Sequence, residues 1–182
     1  GTMYEGHFFN GMLCERGVKR MMNGNYYEGE FNNGLKEGKG KEETNEYIYE
    51  GEFKNDVREG IGSMKYKLTN EYYKGDFKNN SINGFGFYRW ANGDTYEGTF
   101  IEGKMHGKGT YRWPDGNEYV GDYINNIKEG RGIFKWGKDK IFHGPFKNGK
   151  PHGEGKLIKD NKTLDVEFIN GEINRNYKRK TN

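Results

Sequence analysis

The feature that most constrains this chain is a period. The first aromatic of a short recurring motif stands at Tyr4, Tyr27, Tyr49, Tyr73, Tyr96, Tyr119 and Phe142, with Leu164 in the eighth place, at spacings of 23, 22, 24, 23, 23, 23 and 22 residues. Self-similarity on this scale marks an array in which each unit is one supersecondary element that cannot bury its apolar face alone and leans on its neighbours. Any fold for this chain must therefore be one small solution used repeatedly.

The motif itself reads as two strands. Two residues after the first aromatic comes Gly (Gly6, Gly29, Gly51, Gly75, Gly98, Gly121, Gly144), with Val166 in the eighth place. Four residues after comes a ring (Phe8, Phe31, Phe53, Phe77, Phe100, Tyr123, Phe146, Phe168). Alternation of period two predicts a strand with one buried face. Paired glycines follow at offsets eleven and thirteen, as in Gly107 and Gly109. Large side chains of the same parity come next: Met64 and Tyr66, Tyr88 and Trp90, Tyr111 and Trp113, Phe134 and Trp136. This is a second one-faced strand. Glycine weakens a strand, so its recurrence on the inner face has a steric purpose: rings lie flat over bare backbone.

Connections of about six and about five residues, several with Asn-Gly or Asp-Gly (Asn23-Gly24, Asn92-Gly93, Asp115-Gly116), join antiparallel neighbours, since a parallel crossover needs a dozen residues or more. The expected fold is all-β, a single-layer antiparallel array of β-hairpins in an elongated, curved meander sheet, on the order of 70 Å long at ~4.8 Å per strand. The array covers 3–173, about seven full units and a C-terminal capping strand. Residues 174–182 are expected to be a flexible basic tail.

Composition agrees with an aromatic core. Leu, Ile, Val and Phe make up under a fifth of the chain and mean hydropathy is −1.17, values that alone suggest disorder, but 16% aromatic residues and a net charge of +3 do not. Of the charge, Arg175, Lys178, Arg179 and Lys180 fall in the acid-free tail, leaving the body neutral to within one charge. This excludes a nucleic-acid binder, which needs a dense basic face. The single Cys14 fits a reducing compartment, and the absence of a run of 18 apolar residues fits a cytoplasmic chain.

The residues Y-E-G-x-F, then H-G-x-G or E-G-x-G, then a D-G or N-G turn, resemble the MORN repeat family ("membrane occupation and recognition nexus"). The match is closest over Tyr96 to Asn117 and covers almost the whole chain. Departures are Asp56, Asn80 and Asn126 where the family has glycine seven residues in, and the family's His at offset ten, which stands only as His106 and His152.

Chemistry-bearing patterns dissolve on inspection. Gly144 to Lys150 has Walker A spacing, but Pro151 replaces the magnesium-binding hydroxyl and no helix follows. His7, His106, His143 and His152 do not converge on a metal. Repeated carboxylates read as cross-strand partners of bases such as Arg89, Arg112 and Lys135. We therefore expect no enzyme activity, no cofactor and no metal. The expected function is a protein-interaction or scaffold module that binds a partner peptide or helix, or a second copy, through a concave aromatic face of Tyr66, Tyr88, Trp90, Tyr111, Trp113, Phe134 and Trp136. A homodimer would use the opposite face at Phe85, Phe87, Ile61 and Ile133. What the resemblance implies further is a scaffold in a cytoskeletal or membrane-associated assembly. Two alternatives stand beside it. One is phospholipid binding, with Arg175, Lys178, Arg179 and Lys180 touching anionic lipid; the other is the regulatory repeat domain of a larger enzyme.

Overall fold

A computed structural model of the chain describes residues 1–177. Those residues contain strands and turns and no helix, and they divide into two units, Gly1–Ala91 and Asn92 onward.

The first unit is an antiparallel meander of β1 (Met3–Phe9), β2 (Met12–Arg20), β3 (Tyr26–Asn32), β4 (Leu35–Glu43), β5 (Tyr47–Lys54), β6 (Val57–Tyr66), β7 (Tyr72–Lys78) and β8 (Ser81–Arg89), each hydrogen-bonded to the next. The second unit holds β9 (Thr95–Ile101), β10 (Lys104–Arg112), β11 (Glu118–Ile124), β12 (Ile127–Trp136), β13 (Lys140–Lys147), β14 (Lys150–Pro151), β15 (Gly153–Lys159), β16 (Lys162–Ile169) and β17 (Glu172–Ile173). It too is antiparallel throughout; β14 and β15 are successive pieces along the same edge of β13. The architecture is the single-layer β-hairpin repeat array that the period demands.

Register explains the glycines. In the first unit Gly6, Gly17, Gly29, Gly40, Gly51, Gly62, Gly75 and Gly86 pair one with the next in a row across all the strands. Gly98, Gly109, Gly121, Gly132 and Gly144 do the same in the second. From Tyr27 to Phe142 the first aromatic of each repeat lies back over this row. Its Tyr hydroxyl donates to the main-chain carbonyl three residues on: Tyr27 to Glu30 at 3.0 Å, Tyr49 to Glu52 at 2.9 Å, Tyr73 to Asp76 at 2.9 Å, Tyr96 to Thr99 at 3.1 Å, Tyr119 to Asp122 at 3.2 Å. These five rings are fully buried.

The core is an edge-to-face ladder of rings. Tyr27 meets Phe31 of its own repeat and Phe53 of the next, each at 5.0 Å and near 90°, and Tyr49 meets Phe53 and Phe77 likewise. In the second unit Tyr96 meets Phe100 and Tyr123, and Tyr119 meets Tyr123 and Phe146. Each such contact adds about 0.5–1.5 kcal/mol beyond area burial. That is how a chain poor in aliphatics holds a single layer together.

Two expectations need correction. The link from first to second strand is a two-residue turn rather than six free residues, because pairing continues past a bulge to the turn itself, as in Lys54↔Val57 and Ile124↔Ile127. The turn residues have positive φ at both positions, 48° and 65° at Asn55 and Asp56, the primed geometry whose twist suits a hairpin. Asp56, Asn80 and Asn126 thus adopt the conformation a glycine would. Their side chains also bind the preceding repeat: Asp56 Oδ1 accepts from Lys36 N at 2.8 Å, Asn80 Oδ1 from Arg58 N at 2.9 Å and Asn126 Oδ1 from Met105 N at 2.7 Å. The second correction concerns the glycine at offset eleven. It is not a spacer for a ring; Gly60 has φ 79° in the bulge, and Glu15, in its place in the first repeat, is held at φ 58°.

Candidate functional site

The proposed aromatic stripe grows from the end of each second strand, where inner-face glycines give way to large rings. In the second unit Tyr111 and Trp113 lie at 4.5 Å, Trp113 and Phe134 at 5.4 Å, and Phe134 and Trp136 at 4.6 Å, all tilted. Four rings from two hairpins thus form one continuous run. All four are half-buried, in contrast to the sealed rings of the first strands. In the first unit Tyr88 and Trp90 form a pair at 4.7 Å, Tyr88 also lies 6.3 Å from Tyr73, and Tyr66 is half-buried two strands away.

Polar groups lock this run from beneath. Tyr111 donates its hydroxyl to Asp94 Oδ2 at 2.6 Å, and Asn92 Nδ2 donates to the same oxygen at 2.9 Å. Asp94 is a buried charged residue of the turn before β9. Burial, and then the hydrogen bond to Asp94, push the Tyr111 phenol above its ordinary range. Tyr88 is held in the same manner by Glu71 Oε2 at 3.0 Å.

Cations occupy the ring faces, which the spacing of the rings alone does not predict. Lys128 Nζ sits 4.7 Å from the Trp113 centroid, 4.9 Å from Phe134 and 5.4 Å from Tyr119, and burial lowers its pKa. Lys140 Nζ lies 4.3 Å from Trp136. Lys36 covers Tyr27 and Phe53, and Arg58 covers Tyr47 and Tyr49. Lys36, Arg58 and Lys128 share offset nine, where other repeats carry Leu13, Ile82 and Met105. A long aliphatic stem ending in a cation serves there as another side chain to cover the ring. In the first unit the ring-bearing end of the face is more polar: Lys36 pairs with Glu42, and Tyr47 donates to Glu42 Oε2 at 2.9 Å.

The MORN repeat profile matches seven segments, residues 4–26, 27–44, 49–67, 73–95, 96–118, 119–139 and 142–163. The chain belongs to the MORN repeat family. The starts of these MORN segments coincide with the aromatics that open the ring ladder. A search of curated proteins returns no match. Among solved structures the MORN array is similar to the SAS-4 (dCPAP) TCP domain of Drosophila melanogaster, solved in complex with a proline-rich motif of Ana2 (dSTIL). The TM-score is 0.52 at 13% identity over 82% of each chain, a likeness of fold.

On the opposite face of the MORN strands, Ile61 and Phe85 are exposed and lie in neighbouring repeats of the first unit, with Phe87 half-buried beside them. Ile133 belongs to the second unit, paired across to Val120 and His143. Of the basic tail, Arg175 is exposed, while Lys178, Arg179 and Lys180 lie outside the described residues.

The carboxylates are more varied than ion-pair partners. Glu118 does bridge Lys135 at 2.6 Å and Arg112 at 2.9 Å, which holds its carboxyl below the usual range. Glu37, Glu59 and Glu129 instead accept turn N–H groups of the following repeat, from Asn55, Asn79 and Asn148. His152 Nδ1 does the same for Asn170 at 3.3 Å. Among the described residues no three His, Cys, Asp or Glu gather as a metal site, and no helix is long and apolar enough to cross a membrane.

Proposed function

We propose that this MORN array, over residues 3–173, is a non-catalytic protein-interaction module that binds an extended partner peptide across the rings of its second strands. The observation that carries this reading is the run Tyr111–Trp113–Phe134–Trp136, four tilted, half-buried rings each in contact with the next, on a layer that no helix among the described residues covers. Exposed aromatic patches on an otherwise charged protein mark interaction surfaces, and Trp and Tyr dominate their energetics. Tyr88 and Trp90, with Tyr66, offer a shorter set in the first unit.

The tilt suits one class of ligand. A proline-rich segment is preorganised as a polyproline II helix with little entropy to lose, and it docks its rings into grooves between aromatic side chains. The structural neighbour is recorded with a proline-rich motif bound, so this fold is compatible with such a ligand, and the ring spacing here supports the same chemistry.

The test is a titration of a proline-rich peptide library into the full chain, followed by tryptophan fluorescence and calorimetry. Trp113→Ala and Trp136→Ala should each weaken the best ligand by more than about tenfold, the cost of a lost aromatic anchor, with folding retained. Equal binding by both variants removes this face. A preference for amphipathic helices over proline-rich peptides removes the extended-peptide reading.

A further inference from the structure

We infer that the peptide taken by the ring run carries a short acidic stretch beside its proline-rich one, and that Lys140, Lys159 and Lys162 receive those carboxylates. This rests on the peptide-binding reading of the rings and specifies the ligand further.

The line of side chains through Trp136 continues as lysine. Cross-strand pairing sets Trp136 against Lys140, Lys140 against Lys159, and Lys159 against Lys162. All three lysines stand on the ring face: Lys140 shares the parity of Phe142, Lys159 that of Leu157 and Lys162 that of Val166, each of which is buried in the core. Lys140 is half-buried with its ammonium 4.3 Å from the Trp136 centroid, while Lys159 and Lys162 are exposed. Like charges directly opposed on neighbouring strands repel one another. Among the described residues none of the three forms an ion pair, although Asp139 and Asp160 stand in the adjoining turns.

The same face is balanced elsewhere. In the first unit Lys36 is answered by Glu42, and Glu71 accepts from Tyr88. In the second unit the carboxylate that reaches the rings is Asp94, which is buried and already accepts from Tyr111 and Asn92. The cations on that face are Lys128, Lys140, Lys159 and Lys162, whereas strand acids such as Glu97, Glu118, Asp122, Glu154 and Glu167 face the other way. A nearly neutral body is thus divided by face, and in this unit the ring face is the positive one.

Geometry selects a chain as the occupant. Trp113, Asn117, Trp136, Lys140, Lys159 and Lys162 follow one another in single file from the end of β10 to β16, a row on the order of 24 Å long at ~4.8 Å per strand. A polyproline II segment rising ~3.1 Å per residue covers that row with about eight residues. About half of them lie over the rings, and an acidic half of about four residues reaches all three lysines. Exposed ion pairs add little affinity each; their larger effect is to fix which way round the ligand lies and to reject basic competitors.

The experiment extends the tightest acid-free proline-rich peptide from the library titration with four Glu at either end, and with four Gln or four Lys at the end where Glu binds better. Calorimetry on the full chain compares them at low and at moderate salt. At low salt the Glu peptide should bind about fivefold or more tighter than the Gln peptide, and the Lys peptide more weakly than either, with the gain shrinking as salt rises. The double variant Lys159→Glu/Lys162→Glu should reverse the order of the Glu and Lys peptides. The Gln peptide reports on the rings alone, so its retained binding shows that this variant is folded; Lys140 is left in place because it also covers Trp136. Ring-dependent binding of the Gln peptide with no gain from Glu, or a Glu preference that survives the double variant, overturns this inference and leaves the ring reading standing. Absence of any proline-rich ligand removes both. Mixed phosphatidylcholine–phosphatidylserine vesicles are the last arm: co-sedimentation that the double variant abolishes, without a Glu preference among the peptides, would assign the lysines to a membrane surface and overturn the acidic-peptide reading.

Discussion

The Tyr96 ring stands in the space that a Cβ on Gly109 would need: such an atom would lie 2.3 Å from the Tyr96 hydroxyl oxygen and 2.3 Å from Cε2. The same relation holds between Tyr27 and Gly40 and between Tyr119 and Gly132, with distances of 2.3–2.6 Å to the hydroxyl. No real Cβ comes so close, so ring and glycine are one structural unit written at two places in the chain.

Gly109→Ala should therefore destabilise the protein by about 1–3 kcal/mol, as overpacking of a tight site does. The diagnostic is coupling. In a Tyr96→Val background, where the ring is gone, the same substitution should cost at least about 1 kcal/mol less, the interaction energy expected of residues in direct contact. Urea denaturation of the four proteins measures this. Strict additivity would show that the ring is not what excludes the methyl group.

A second prediction concerns the turn at Asn126, whose φ is 71°, whose main-chain N–H donates to the Met105 carbonyl and whose side-chain Oδ1 accepts from Met105 N. Asn126→Gly keeps the backbone conformation and should change stability by about 1 kcal/mol or less, since Gly34 and Gly149 make the same main-chain bond to Leu13 and Lys128 in their repeats. Asn126→Ala meets the left-handed penalty and loses the side-chain acceptor, for about 1–3 kcal/mol in all. If glycine and alanine behave alike there, the positive φ is not what selects the residue.

These contacts mark where the sequence is readable and where it is not. The repeat starts, Tyr27, Tyr49 and the rest, and the pairing of short first and second strands are legible because period-two alternation and a 23-residue period are properties of the chain alone. Gly107 and Gly109 look alike as letters, yet one is held at φ 65° in a bulge and the other lies beneath a ring. Only the register separates them. Lys128 is concealed for another reason: it falls in what reads as a connection, whereas pairing continues past the bulge of its own repeat, Tyr123↔Lys128, and so brings a lysine beside the turn onto three rings. At the candidate site the positions of Trp113 and Trp136 are visible in advance. That Trp113 reaches Phe134 across two strands, and that Asp94 holds Tyr111, depend on side-chain reach that no spacing encodes.

Lys128 yields the third prediction. Its ammonium covers Trp113, Phe134 and Tyr119 while its stem fills the place taken by Met105 in the preceding repeat. Burial already disfavours its charge. Lys128→Met should thus be tolerated to within about 1 kcal/mol, as volume-conserving exchanges are. Lys128→Glu sets a carboxylate against the negative ring faces and should cost about 2 kcal/mol or more. Guanidinium melts decide it; equal stability of the two variants would mean that the side chain leaves the rings in solution.

The last prediction is alkaline unfolding. Burial raises the phenols of Tyr49 and Tyr96 to about 12, and those of Tyr27, Tyr73, Tyr119 and Tyr123 are driven higher still, in each case chiefly by desolvation. In the unfolded chain a phenol ionises near pH ~10. Below that pH both states hold the proton and these groups impose no pH dependence. Above it the unfolded state releases protons that the folded state keeps, so stability falls as pH rises, by about 1.4 kcal/mol per pH unit for each such group, until the folded pKa is passed. With several groups acting together, the array should lose most of its stability between pH ~10 and ~12, with late tyrosinate absorbance at 295 nm appearing together with loss of strand signal. Tyr96→Phe removes one of these protons and should flatten the slope by about one group's share, while costing about 1 kcal/mol at neutral pH for the lost bond to the Thr99 carbonyl. Phe142 shows that the ladder accepts a ring without the hydroxyl at this position. Stability that stays level through this range, or a slope unchanged in Tyr96→Phe, would show that the hydroxyls reach water in solution and are not sealed beneath the next repeat.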